Sequence, residues 1–325
     1  MKPKLLLFIS FFVFALALSS QAQTGKIWGY VFNGSQDSAK ISNTEVNFLV
    51  YKGHNLIDDS SHVARTNKSG KFILANLKID TTLIFYPRTS FHDIVYYGKG
   101  IRLSKSEPAR ETDIVVYDTT TDKSNIQIQM DHIFIEENEN VVTVKEILML
   151  QNYGTKTYTG TPVTEAGHFH VLEFPLPENF ENVQILTPQA QESMTIEGNM
   201  LIDTGLFPPG MRQLSFQYDI PNPGKSWHFS RPIAFPTGSI NIFLSQPDLT
   251  IEGPGIVPMG EFPIRNISYQ RFAVKHLMPG MPLEITLKNL SGGSKSIDLQ
   301  WIVLGAVVIM FIFGIGYTML KPAKK

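Results

Sequence analysis

From Trp301 to Leu320 the chain runs for twenty residues without a charge. As a helix that run rises about 30 Å, the thickness of a bilayer's hydrocarbon core, and it satisfies its own backbone hydrogen bonds there. A transmembrane helix over 299–320 is therefore expected. Trp301 and Tyr317 would sit at the two wet interfaces, with Lys321, Lys324 and Lys325 of the tail 321–325 on the cytoplasmic side. The other end opens with Lys2 and Lys4, an apolar run from Leu5 to Leu18, then Ser20, Gln21 and Ala22. That run is short for a bilayer and has the form of a secretory signal peptide, residues 1–22, cut after Ala22; an uncleaved anchor is the alternative. Together the two ends export what lies between them and tie it to a membrane.

The chain has no cysteine, so neither disulfides nor a lipobox lipid can act on the exported part. With the compact signal, this points to a bacterial inner membrane protein, single-pass, facing the periplasm or exterior. Lys and Arg number 28 against 29 acidic residues, which leaves no field to gather nucleic acid. Twenty prolines, 24 glycines and 22 phenylalanines, with little helical periodicity before the last span, indicate an all-β chain. The expectation is two β-sandwich domains in tandem followed by one C-terminal transmembrane helix. The polar stretch "DTTTDKSN" (118–125) separates a first domain, 23–117, from a second, 126–290, and 291–298 links the second to the membrane.

Within the first region, "TNKSGKFILANL" (66–77) contains the Gly-Lys pair that closes a phosphate-binding loop. A Walker loop also needs Gly where Arg65 stands and Ser or Thr where Phe72 stands, so the phosphate reading fails. What remains is an Asn-led turn with Gly70 at positive φ between two strands, read as a hairpin. In "TEVNFLVY", Val46, Phe48 and Val50 share one strand face.

These pieces resemble the carboxypeptidase regulatory-like domain, a prealbumin-like (transthyretin-like) β-sandwich. The matching stretches are "GKIWGYVF", "TEVNFLVY", "ARTNKSGKFILANL", "TLIFYP" and "DIVYYGKGIRL", with Asn67 in place of the family's usual Asp. "AKISNTEV" departs from the Pro and Gly common before the second strand. The resemblance implies a non-catalytic folding, spacing or binding module without a shared active site.

The second region resembles no named domain but reads as further β-structure. "RQLSFQYDI" places Leu214, Phe216, Tyr218 and Ile220 on one face, and "PLEITLKNL" does the same with Leu283, Ile285 and Leu287. "MTIEGNMLID" reads as a hairpin turning at Gly198-Asn199. "NVVTVKEILMLQNYG" reads as one long strand rather than a helix, with Val142, Val144, Leu148 and Leu150 on a common face.

Few residues suggest chemistry, and none calls for a cofactor. His168 and His170 in "HFHVLE" fall on one face of a strand and are metal-ligand candidates, with a third ligand to come from His132 or His228. Glu173 falls on the opposite face of a regular strand. The plainer reading is two solvent-facing histidines. Asp118, Asp122 and Asn125 lack the frame of a calcium loop, and "EENEN" (136–140) reads as a solvated turn. Trp28, Trp227 and Tyr153 could stack on sugars or belong to the core. The leading functional reading is a non-enzymatic, membrane-anchored envelope protein that binds a protein or glycan partner by surface recognition or by strand addition at a sheet edge. The alternatives are a metal-dependent hydrolase using His168 and His170, or a structural subunit of an inner-membrane complex.

Overall fold

The computed structural model describes residues 24–138, 141–162, 169–221, 223–264 and 266–291. The expected signal peptide and the expected span, with Trp301, Tyr317, Lys321, Lys324 and Lys325, lie outside the described residues. Among the described residues no helix is long and apolar enough to cross a membrane. Apart from one 3-10 turn at Pro188–Ala190, the regular structure described is all-β. It falls into two compact units that divide in the chain between Thr119 and Thr120.

The described residues of the first unit form two five-stranded sheets. One is centred on Thr24–Asn33, which pairs with Ala39–Lys40 and Lys71–Lys78 and, in parallel, with Ala109–Glu111 and Ile114–Val116. The other is built on Glu45–Lys52 and Leu83–Phe91, flanked by Asn55–Asp58, Val63–Arg65 and Ile94–Tyr97. Strict alternation turns Ile27 and Val31 inward from the first sheet, and Val46, Phe48 and Val50 inward from the second. With Phe72 they form one core, where Phe48 and Phe72 meet edge-on at 6.0 Å. The unit is a β-sandwich.

The stretch 66–71 forms a turn but not a ladder hairpin. Asn67 takes the Lys71 carbonyl on its N–H and the Ser69 and Lys71 N–H groups on its side chain, and Gly70 has φ +73°. Yet the strand before it, Val63–Arg65, pairs with Glu45–Lys52, and the strand after it, Lys71–Lys78, pairs with Thr24–Asn33. The turn therefore arches from one sheet to the other. A Cβ on Gly70 would come within 2.8 Å of the Lys40 Cβ and 3.0 Å of the Val31 carbonyl. The Gly70 carbonyl itself accepts the Val31 N–H, so the arch lies flat on the first strand.

In the second unit the described residues build a seven-stranded mixed sheet. Its spatial order is Glu181–Ile185, Gly210–Pro221, Val141–Asn152, Ile126–Asn138, Thr237–Leu244, Ile267–Leu277 and Val257–Ile264. Its concealed face carries Ile133, Ile135, Val142, Val144, Leu148, Leu150, Leu214 and Phe216. Two three-stranded sheets share that core. One joins Ser226–Pro232, Pro282–Lys288 and Thr250–Glu252; the other joins Leu172–Pro175, Met200–Asp203 and Met194–Glu197. The last two strands pair Glu197 with Met200 across Gly198-Asn199, the expected hairpin. Val141–Asn152 is a single strand of twelve residues, as its alternation predicts.

That alternation carries a charge inside. Glu146 lies between Val144 and Leu148 on the inward face and is wholly buried. Arg231, on Ser226–Pro232, donates from Nη1 to Glu146 at 2.7 Å and from Nη2 to Asp131 at 2.6 Å. The Tyr218 hydroxyl donates to the other Glu146 oxygen at 3.0 Å. Removing ions from water is costly, and the cost is recovered only while the partners stay together. Arg231→Met should therefore destabilise the chain by about 3–5 kcal/mol in denaturant unfolding, because two buried carboxylates lose their counter-charge.

Among the described residues Asp131 Oδ1 has no hydrogen-bond partner. Burial, with the Glu146 charge adding to it, pushes the Asp131 carboxyl up from 3.8 to about 7. The folded chain then holds a proton that the unfolded chain releases, so stability falls as pH rises between 3.8 and about 7. Asp131→Asn should flatten that fall. Unfolding midpoints of both proteins, measured across the window, should converge at its acid end and separate at its neutral end, with the variant the more stable.

Candidate functional site

The outer face of the second sheet of unit one holds a concavity of ligand size. Period-two alternation that buries Phe48, Val50 and Phe85 turns Leu49, Tyr51, Ile84 and Tyr86 outward. Register sets Tyr51 opposite Ile84, Tyr86 opposite Leu49, and Tyr97 opposite Arg88. The Tyr51 and Tyr86 rings stand edge-to-face, 5.7 Å apart at 86°. With Tyr97, Gly53 and His54 they line a cleft of about 450 Å³, within the usual range for small-ligand sites. Gly100 lies against it: a Cβ there would come 2.5 Å from the Tyr86 ring, so the absent side chain makes room for the phenol. Among the described residues the hydroxyls of Tyr51, Tyr86 and Tyr97 make no hydrogen bond. Three aromatic side chains therefore line one opening.

A second concavity, about 440 Å³, lies on the outer face of the seven-stranded sheet beside Phe134, Lys145, Ile147 and Tyr269. Its aromatic groups are already engaged. Phe134 stacks on Phe243 at 4.6 Å, and the Tyr269 hydroxyl donates to Glu136 at 3.1 Å. The edges of this sheet offer little for strand addition. Val257–Ile264 contains Pro258 and Pro263, which have no N–H to donate, and it bulges before Gly260. Glu181–Ile185 at the other edge is also bulged, with Asn182 at φ +53°.

Among the described residues, His132, His170 and His228 do not come together. His168 lies outside the described residues. His170 has its Nδ1 2.8 Å from Glu173 and its Nε2 3.5 Å from Glu197. The strand breaks at Val171, which brings Glu173 to the same side as His170 instead of the opposite one expected of a regular strand. Both ring nitrogens thus face carboxylates, and among the described residues no group of three or more His, Asp or Glu side chains could hold a metal ion. His132 packs edge-on to Phe243 at 5.3 Å, and His228 meets the Thr286 hydroxyl at 3.2 Å.

The acidic candidates are equally dispersed. Asp118 accepts from Asn33 and Gln36, whereas the Asp122 carboxyl is held below its usual range by the backbone and hydroxyl of Ser124. Glu137 accepts from Ser291, away from Glu136. Of the aromatic residues considered for stacking, Trp28 is covered by the Lys71 ammonium 4.4 Å from its ring centre. Trp227 packs on the core of unit two, and Tyr153 is exposed with its hydroxyl accepting from Gln129. The tyrosine cleft was not recognised from the sequence. Its signal was present in Tyr51, which stands one residue beyond the inward-facing Val50 and so faces out.

No protein-family model matches the chain, and no curated protein matches it. Among the solved structures that match is a candidate carbohydrate binding protein from Pseudomonas aeruginosa, 14% identical, with a TM-score of 0.21. The alignment covers 32% of this chain and 96% of that one. At that score the likeness bears on neither the fold nor the ligand of the present chain.

Proposed function

We propose that this chain is a non-enzymatic envelope protein, anchored through 299–320, whose first β-unit is a carboxypeptidase regulatory-like module that binds a glycan in the tyrosine cleft. The observation that carries the reading is the convergence of Tyr51, Tyr86 and Tyr97 on one open, outward-facing concavity. Sugars present flat C–H faces edged with hydroxyls. Aromatic rings with free phenolic groups match both parts of that surface, one by contact and the other by hydrogen bonding. A folded partner protein needs roughly 800 Å² per side for stable association, whereas the cleft suits a few saccharide units. Tethering would concentrate the site near the bilayer and its surrounding polymers.

Full-length protein should bind immobilised envelope polysaccharide, and Tyr86→Ala and Tyr97→Ala should each weaken that binding by roughly tenfold, about 1.4 kcal/mol. Unchanged binding by both variants, with folding intact, removes the cleft from consideration. The anchor is checked separately. A tag fused behind Lys325 should resist protease added to spheroplasts, whereas a tag at Gly53-His54 should not.

A further inference from the structure

Arg88 shares the outward strand face of Ile84 and Tyr86, just beyond the residues that line the cleft. Along Leu83–Phe91 the outward row runs Ile84, Tyr86, Arg88, so the arginine's backbone stands one pleat, about 7 Å, along the strand from that of Tyr86. Register sets it directly opposite Tyr97 on one side and Asn47 on the other. Its Nη2 donates to the Asp59 carbonyl at 3.3 Å. Among the described residues it has no carboxylate partner, although other arginines do: Arg65 meets Glu45, Arg110 meets Glu107, Arg212 meets Asp203 and Arg231 meets two acids. The nearby acid at position 58 is unavailable, since its carboxylate is taken by the Ser60 and Ser61 backbone and by His62. A partly exposed guanidinium, anchored at one nitrogen and set by register opposite Tyr97, retains donors suited to a planar anion.

Resting on the reading of the cleft as a glycan site, we infer that its ligand is an acidic saccharide whose carboxylate is bound by Arg88 while its ring lies against Tyr86 and Tyr97. The geometry assigns the two halves of recognition to different residues. The tyrosines supply contact that any pyranose ring can use, and Arg88 supplies discrimination between an acid and its neutral counterpart. Because the guanidinium is a fork, lysine at this position would keep the charge but lose the paired geometry. The electrostatic part should weaken with salt, and the stacking part should persist.

The test uses full-length protein and tetrasaccharides of galacturonate, mannuronate and hyaluronan, each as free acid and as methyl ester, titrated by calorimetry. At least one acid should bind tenfold or more tightly than its ester. Arg88→Gln should abolish that preference while leaving ester affinity within twofold, Arg88→Lys should retain only part of it, and Tyr86→Ala should weaken both forms alike. Equal binding of acid and ester, or a preference that survives Arg88→Gln, overturns the role of Arg88 and leaves the glycan reading standing. No binding of any acid or ester overturns both.

Discussion

Arg231 is the residue on which the second unit depends. Its guanidinium reaches from a three-stranded sheet to Asp131 and Glu146 on adjacent strands of the seven-stranded sheet, and Tyr218 on a third strand closes the group. A hydrophobic core alone tolerates some sliding, because one branched side chain replaces another at little cost. A buried ion cluster does not. Slipping any of these strands by one residue would point a carboxylate at solvent and leave the arginine uncompensated. The cluster thus costs stability through desolvation and returns definition of register. The unpartnered oxygen of Asp131 shows that the compensation is incomplete.

The first unit is organised differently. Its core is apolar, and its two sheets are joined by the arch at 66–71, where Asn67 and Gly70 replace ladder bonds with a local turn. With the interior settled by alternation alone, the outward positions are released from structural duty. On one sheet they carry Tyr51, Tyr86 and Tyr97, which line a cleft, and Arg88 beyond them on the same face. The corresponding face of the large sheet in unit two spends its aromatics on one another. Its outer edges are blunted by prolines and bulges, so recognition by strand addition has no regular ladder to extend there.

Several strands were legible because period two is a local signal. Val46, Phe48 and Val50, or Leu214, Phe216, Tyr218 and Ile220, announce their face without knowledge of any partner. The same rule also put Glu146 inside, between Val144 and Leu148, although a lone glutamate in an apolar row gives no hint of the arginine 85 positions away that satisfies it. Sheet membership was less legible. The turn at 66–71 has every residue a hairpin needs, and only long-range pairing sends its two strands to different sheets. Glu173 was misplaced because a single break at Val171 reverses the facing of everything after it.

By itself, the sequence determined the class of structure, the alternating faces of several strands and the apolar stretches at either end. Each is set by neighbours within a few residues, where burial and backbone geometry act directly. Tertiary structure decided which strands share a sheet, which charges find one another, and that Tyr51, Tyr86 and Tyr97 meet on one surface. Those outcomes depend on contacts between residues dozens of positions apart, and no local pattern encodes the register that brings them together.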